Sequence, residues 1–408
     1  MHSEILSSVT KLEGLMVKTL ARLCSIPAVS PHNGGTGEDA KILELAKIID
    51  ELGLKDIALK VEYVDDEKAQ SGKRPSLFLE YPGKKSQRLC ILSHIDVVPE
   101  GDLSAWTLDP FKPEVRGSRI YGRGVSDNGM CLVSSLFALK ALQDSGITPE
   151  YSILLAFVCD EELGSHYGLE QLIERDIFRA DDLVLVPDSG NDNGDFIETA
   201  EKSVLRMKFT VTGKQVHAAY PTHGINACRA ANMLAHEVDD ALHKKFTQTN
   251  DIFDVPFSTF EPTKRAANVP AVNIVPGREV FEFDCRILPE ISLDDVIAVV
   301  NGIVADVETR TGAKISVDIE RTDAPEPTSP DSEICRLLMK SIREVLKIEP
   351  VAGGIGGGTF AVFFRKKGIP AVVWSQECDG VAHQPDEYTE ISYLVNNAKV
   401  FALMMAGE

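Results

Sequence analysis

Apolar positions along this chain change rhythm twice. Residues 12–24 (LEGLMVKTLARLC) place apolar side chains at helical spacing, and the helix they predict stops before Ile26-Pro27. From 75 to 190, short apolar runs alternate with helix-like stretches. RLCILSHIDVV, YSILLAFVCD and DLVLVPD are almost continuously aliphatic and β-branched, as strands buried on both faces of a helix-covered α/β sheet must be. Between them, residues 130–144 (MCLVSSLFALKALQD) predict a largely apolar helix.

After about residue 202 the period shortens to two. Leu205, Met207, Phe209 and Val211 alternate with Arg206, Lys208, Thr210 and Thr212, and Phe281, Phe283, Cys285 and Ile287 alternate with Glu282, Asp284 and Arg286. Such strands belong to a sheet with one wet face. Helices are predicted over 225–245 and 293–311, the second opened by Ser292 with Asp295 three residues on, a capping-box pattern. Residues 313–320 (AKISVDIE) add an alternating strand, giving a β-α-β-β-α-β order. Beyond the turn-rich DAPEPTSPDS, a helix (ICRLLMKSIREVLK) and a buried strand (PAVVW) return to the first style. The expected architecture is a discontinuous α/β domain, 1–202 and 321–408, interrupted by an α+β domain over 203–320.

Length and charge narrow the classes of function. A chain of 408 residues with 44% hydrophobic and 25% charged residues suits two ordinary globular domains. Its formal charge of −20 argues against nucleic acid and anionic lipid as partners. Eight scattered cysteines include no CxxC pair, and several sit in apolar runs, which points to buried thiols in a reducing compartment. The N-terminal stretch carries Glu4, Lys11, Glu13 and Lys18 and does not read as a signal peptide; no apolar run reaches membrane-spanning length. A cytoplasmic location is expected.

Candidate chemistry gathers at strand ends, where open α/β sheets place ligand sites. His94-Ile95-Asp96 closes RLCILS, and its two polar side chains point to one side. Gly122-Arg123-Gly124-Val125-Ser126-Asp127 precedes the apolar helix; its sixth position is Asp where a dinucleotide fingerprint needs Gly. Asp160-Glu161-Glu162 follows a buried strand, an expensive place for three acids unless cations or donors face them. Pro187-Asp188-Ser189-Gly190 and Ala382-His383-Gln384-Pro385-Asp386-Glu387 follow two further strands. Taken singly, each reads as a turn, a cap or a surface acid. Together they form an oxygen and nitrogen donor set without thiolates, the composition of a catalytic zinc, cobalt or manganese site. The set suffices for two ions bridged by a carboxylate.

The motifs SHIDVVP, WTLDPF, YGRGVSD, DEELGS, PDSG, GKQVHAAYPTHGINA, NIVPG, DCRILP and AHQPDE run through the whole chain. On them the protein resembles the M20 metallopeptidase family, which includes acetylornithine deacetylase, succinyl-diaminopimelate desuccinylase, aminoacylase-1 and glutamate carboxypeptidase. The resemblance implies a three-layer α/β zinc-hydrolase domain with an inserted, ferredoxin-like α+β lid that also forms a homodimer contact. It implies two divalent ions per chain, zinc first and cobalt or manganese next. His94 and Asp188 would hold one ion, Glu162 and His383 the other, and Asp127 both. Asp96 would orient His94, Glu161 would be the general base, and His217 would reach the oxyanion from the lid. Asn273, Arg286, Gly357 and Thr359 would bind substrate.

The implied reaction is amide hydrolysis of an N-acyl amino acid or a short peptide with a free carboxylate, by a deacetylase or desuccinylase, or alternatively a dipeptidase or carboxypeptidase. A nucleotide-dependent oxidoreductase resting on GRGVSD lacks the third glycine. A non-catalytic binding protein would be marked by loss of Glu161 or a ligand, and all six positions are present. Two departures bear on the substrate subgroup. Many members continue Asp-Met-Lys-Gly where this chain has Asp127-Asn128-Gly129, and Phe360 follows Thr359 where an aspartate is common.

Overall fold

The computed structural model describes residues 2–407. Two compact units emerge. The first comprises the chain up to Thr199, Pro327–Ala352 and everything from Thr359; the second comprises Ala200–Glu326 with the short stretch Gly353–Gly358.

The first unit is built on an eight-stranded sheet: β1 (Ala58–Asp65), β2 (Lys73–Tyr81), β3 (Lys85–His94), β4 (Tyr151–Val158), β5 (Leu183–Asn191), β6 (Phe196–Glu201), β7 (Val351–Ile355) and β8 (Ala371–Gln376). Their spatial order is β1-β2-β4-β3-β5-β8-β6-β7. The central pairs β4/β3, β3/β5 and β5/β8 are parallel, whereas β1/β2, β2/β4 and β8/β6 are antiparallel. Adjacent residues of the central strands enter different apolar layers, which explains why their sequence shows no polar alternation. Leu89, Ile91, Ile153, Leu155 and Phe157 pack with helices Glu13–Cys24, Cys131–Asp144 and Ile391–Ala406. Cys90, Leu92, Leu154, Ala156 and Val158 pack on the opposite face with Leu169, Phe360 and Phe364. The result is a three-layer α/β sandwich. Each wholly buried Leu, Ile or Phe contributes roughly 1.5–3 kcal/mol relative to exposure.

Three local differences from the sequence reading have physical causes. β5 continues through Asp188 to Asn191, because β8 pairs on past an irregularity and places Ser375 opposite Gly190. Strands β6 and β7 carry acids or glycines (FIETAE, VAGGI) and have no apolar rhythm of their own. Ser292 does open the helix Leu293–Thr311, but its side chain accepts the amide of Asp294, not that of Asp295.

The second unit has strands Thr259–Arg265, Arg278–Ile287, Ser203–Thr212 and Lys314–Thr322 side by side in that order, all antiparallel. With helices Ala227–Lys245 and Leu293–Thr311, this completes a β-α-β-β-α-β unit. Leu205, Met207, Phe209, Phe281, Phe283 and Cys285 face the helices, and the Phe209 and Phe281 rings stack at 4.8 Å. The other face is polar, with Arg206 paired to Asp284 and Glu320 at 3.3 and 2.6 Å. Gly353–Gly358 joins this unit through backbone bonds from Lys202 to Ile355 and from Gly354 to Ile252. Gly354 is required there, since a Cβ would stand 2.4 Å from the Phe253 ring.

Seven of the eight cysteines are buried and all are free thiols. Among the described residues, no helix is long and apolar enough to cross a membrane.

Candidate metal centre

The C-terminal edge of the parallel strands carries a dense polar cluster, and each member arrives for a local reason. His94 is the last residue of β3 and is 1% exposed. Its Nδ1 faces the Asp96 carbonyl at 3.1 Å, with the Asp96 carboxylate at 3.5 Å. A neutral ring donating from Nδ1 presents the Nε2 lone pair to the cluster. That nitrogen lies 2.7 Å from Asp127 Oδ1 and 3.2 Å from Asp188 Oδ1.

β4 ends at Val158, and the chain reverses through Asp160 (φ 67°) into a short turn over Glu161–Leu163. The Asp96 carboxylate caps this turn, accepting the amides of Glu161 and Glu162 at 3.1 and 3.2 Å. Asp96 therefore locates both glutamates as well as sitting beside His94. His383 lies in the loop after β8, with φ 64° and a half-exposed side chain. Its Nε2 stands 3.0 Å from Asp127 Oδ2 and 3.1 Å from Glu162 Oε2.

Two donor groups result: His94, Asp127 and Asp188; and Asp127, Glu162 and His383. Within each group the ligand atoms lie within 4.8 Å of one another, and Asp127 belongs to both. Among the described residues, no Lys or Arg forms an ion pair with Asp127, Glu162 or Asp188. Their counter-charge must come from protons or cations.

The acid–base balance shows the same deficit. Burial and then the Asp188 carboxylate push Glu161 well above the usual carboxylate range. Burial also raises Asp188 and Glu162, against the imidazoles. Asp127 is drawn down despite burial, because His94 and His383 flank its two oxygens. Hydrogen bonds to Asp127 and Glu162 lift His383 to about 10. A carboxylate-rich nitrogen and oxygen set, partly buried and sharing one acid between its two groups, fits two divalent ions.

The remaining sequence candidates fall elsewhere. His217, Asn273, Arg286 and Gly357 belong to the second unit, and Thr359 to the first. Val216–His217 pairs antiparallel with Ile274–Val275, and Ala218 donates to the Asn273 carbonyl at 2.8 Å, so His217 and Asn273 are neighbours. His217 Nδ1 accepts the Ala219 amide at 3.1 Å, which leaves Nε2 as the protonated nitrogen of the neutral ring. Arg286 is held by Asp284 through Nε (2.6 Å) and Nη2 (3.1 Å), while its Nη1 donates to the Gly356 carbonyl at 3.0 Å. Thr359 is buried, and its hydroxyl accepts the Ala361 amide at 3.2 Å.

The two departures from the family pattern acquire structural reasons. Asn128 Nδ2 donates to Asp188 Oδ1 and to the Pro187 carbonyl, both at 2.7 Å, so it orients a candidate ligand. Gly129 has no room for a side chain: a Cβ would meet the Gly124 oxygen at 2.4 Å and Cys24 Sγ at 3.0 Å. Phe360 is 1% exposed in the apolar layer with Phe364, Val184 and Val186. Sequence reasoning gave Asn128 no role; the available signal was an amide immediately after a candidate bridging aspartate.

Comparisons with known proteins agree with this chemistry. The chain is 39% identical over 401 residues to an uncharacterized metallohydrolase of Methanococcus maripaludis, covering 93% of this chain and 95% of that one. It is 28% identical over 324 residues to succinyl-diaminopimelate desuccinylase of Acinetobacter baylyi, covering 78% and 83%. The solved structure of aminopeptidase PepT from Bacillus cereus shares the fold, with a TM-score of 0.77 at 17% identity over 97% and 98% of the two chains. A family model described as Peptidase family M20/M25/M40 matches residues 90–407. The chain belongs to that family and is a metal-dependent hydrolase of amide or peptide bonds.

Proposed function

We propose that this protein is a two-ion amidohydrolase that cleaves N-acyl amino acids, or short peptides, bearing a free carboxylate. The observation that carries this reading is the pair of donor groups sharing Asp127, with Glu161 in the adjoining turn next to the donor Glu162. His94 and Asp188 would hold one ion, Glu162 and His383 the other, and Asp127 both. Bound there, two divalent ions, zinc by preference for this donor set, supply Lewis acidity that polarises the amide carbonyl and lets water ionise near neutral pH.

The chain's own residues handle the protons and the substrate. Glu161 takes the proton of the attacking water on a carboxylate oxygen and returns it to the leaving amine nitrogen. Asp96 keeps Glu161 and Glu162 in register by accepting both amides. His217 donates from Nε2 to the carbonyl oxygen as it gains charge, with Asn273 beside it. Arg286 offers a planar fork to the substrate carboxylate, and Gly357 and Thr359 belong to the loop that binds substrate. In this reading the second unit is a lid that completes the site, and it also carries a homodimer contact that brings in His217 from the partner. The compartment is the cytoplasm.

Similarity to desuccinylases favours an N-acyl substrate such as a succinylated diamino acid. The test is a panel of N-acetyl, N-succinyl and dipeptide substrates with free or amidated carboxylates, assayed with added zinc, cobalt or manganese. Hydrolysis confined to free-carboxylate substrates and abolished by chelation is expected. Undiminished turnover in a fully chelated sample would refute the reading.

A further inference from the structure

Two ion-binding residues of the second donor group reach it from unlike places. Asp127 sits in the turn before helix Cys131–Asp144, and His383 sits in a loop without regular structure. His383 has a left-handed backbone and a half-exposed side chain, so packing does little to locate it. A single buried ion pair touches both residues.

Arg123 and Glu387 are 2% and 1% exposed, and Arg123 Nη1 lies 2.6 Å from Glu387 Oε2. The other Glu387 oxygen accepts the amides of Ser126 (3.0 Å) and Asp127 (3.2 Å). Nη2 of Arg123 donates to the carbonyls of His383 and Pro99, both at 3.3 Å, and Nη1 reaches the Gln384 carbonyl at 3.5 Å. The Trp106 ring lies beneath the guanidinium, 5.2 Å from its carbon. The backbone closes the same circuit: the Gly122 amide donates to the Glu387 carbonyl at 2.9 Å.

We propose that Arg123 and Glu387 act together as a positioning pair that sets Asp127 against His383 and so governs ion occupancy of the Asp127–Glu162–His383 pocket. The inference rests on the two-ion reading given above. Buried ion pairs are poor sources of stability, because desolvation consumes most of their attraction. This one is distinguished by where its remaining bonds go. Glu387 fixes the Asp127 backbone from one side, and Arg123 fixes the His383 backbone from the other. Only a planar guanidinium can serve a carboxylate and several loop carbonyls at once. The His94–Asp188 pair receives none of these bonds; Asp96 and Asn128 hold it instead. Asp127 is common to both donor groups, but only the second also depends on His383, so the pair acts more strongly on that pocket than on the other.

The test is calorimetric titration of ion-free protein with cobalt, comparing wild type with Arg123→Lys and Glu387→Gln. Lysine keeps the charge opposite Glu387 but loses the fork; glutamine keeps an acceptor for the Ser126 and Asp127 amides but loses the charge. Wild type is expected to show two binding steps. In each variant one step should lose about 10–100-fold in affinity, the range for residues that orient metal ligands. The other step, which shares only Asp127 with it, should weaken by a clearly smaller factor, and the thermal midpoint should fall because each variant disturbs a buried pair. Excess cobalt should restore kcat at unchanged KM. Equal weakening of both steps would make the pair merely structural and overturn the proposal, as would two unchanged steps. If Arg123→Lys does not fold, as judged by circular dichroism, Glu387→Gln decides alone. Absence of any uptake by wild type would instead remove the two-ion reading, and this inference with it.

Discussion

The polar edge of the eight-stranded sheet and the polar residues of the second unit solve the same problem in opposite ways. At the sheet edge, each candidate ligand is tied to a buried partner that is not itself a ligand. His94 leans on Asp96, Asp188 on the Asn128 amide, the Glu162 amide on Asp96, and the Asp127 amide on Glu387. In the second unit, His217 is exposed and is held by a two-residue ladder and the amides of Ala219 and Tyr220. Arg286 is partly exposed and engaged with Asp284 and a glycine carbonyl. The first set is held by more buried contacts; the second is the less constrained.

That contrast orders the expected effects of mutation. The largest should come from Glu161→Gln, which removes proton transfer but leaves every ligand in place. kcat should fall about 10²–10⁴-fold with full ion content by elemental analysis. A near-normal kcat would mean that the base is another group.

Next comes His217→Ala. Loss of one oxyanion donor should cut kcat roughly 10²–10³-fold, with little change in KM or ion content. If the histidine is supplied by a partner chain, mixing His217→Ala with Glu161→Gln should restore activity, because a mixed dimer holds one intact composite site. Confirmed heterodimers without activity would rule out donation between chains.

A smaller effect is expected at Arg286. A hydrogen bond to a charged group contributes about 1.5–3 kcal/mol, or roughly 10–100-fold in KM. Arg286→Ala should raise KM for carboxylate substrates, and amidated substrates should be poor for wild type yet no worse for the variant. Equal discrimination by both proteins would leave Arg286 as the partner of Asp284 and Gly356 only.

Much of this division is visible in the amino-acid string, and the limits are physical. Strand Ser203–Thr212 announces itself because one face is wet and the other buried, so each residue type reports its side. β3, β4, β5 and β8 announce themselves because both faces are buried. β6 and β7 do not, since they pair with each other and with β8 through the backbone, and their acids and glycines carry no apolar rhythm. Placing ligand candidates at strand ends follows from a general rule of α/β sheets, and His94 illustrates it at the end of β3. The residues that hold the ligands are harder to read. Asn128, Arg123 and Glu387 lie inside recognisable motifs, yet their roles depend on bonds that span 60, 260 and 261 residues. No local pattern encodes those distances.

The central claim is that one set of side chains holds two ions and that Asp127 is common to both. Equilibrium uptake of zinc or cobalt by ion-free wild type, Asp127→Asn and Asp188→Asn tests it most directly. Wild type should approach two ions per chain, Asp188→Asn should weaken one step, and Asp127→Asn should weaken both. A wild type that takes up one ion or none, or an Asp127→Asn protein that binds two ions as wild type does, would contradict it.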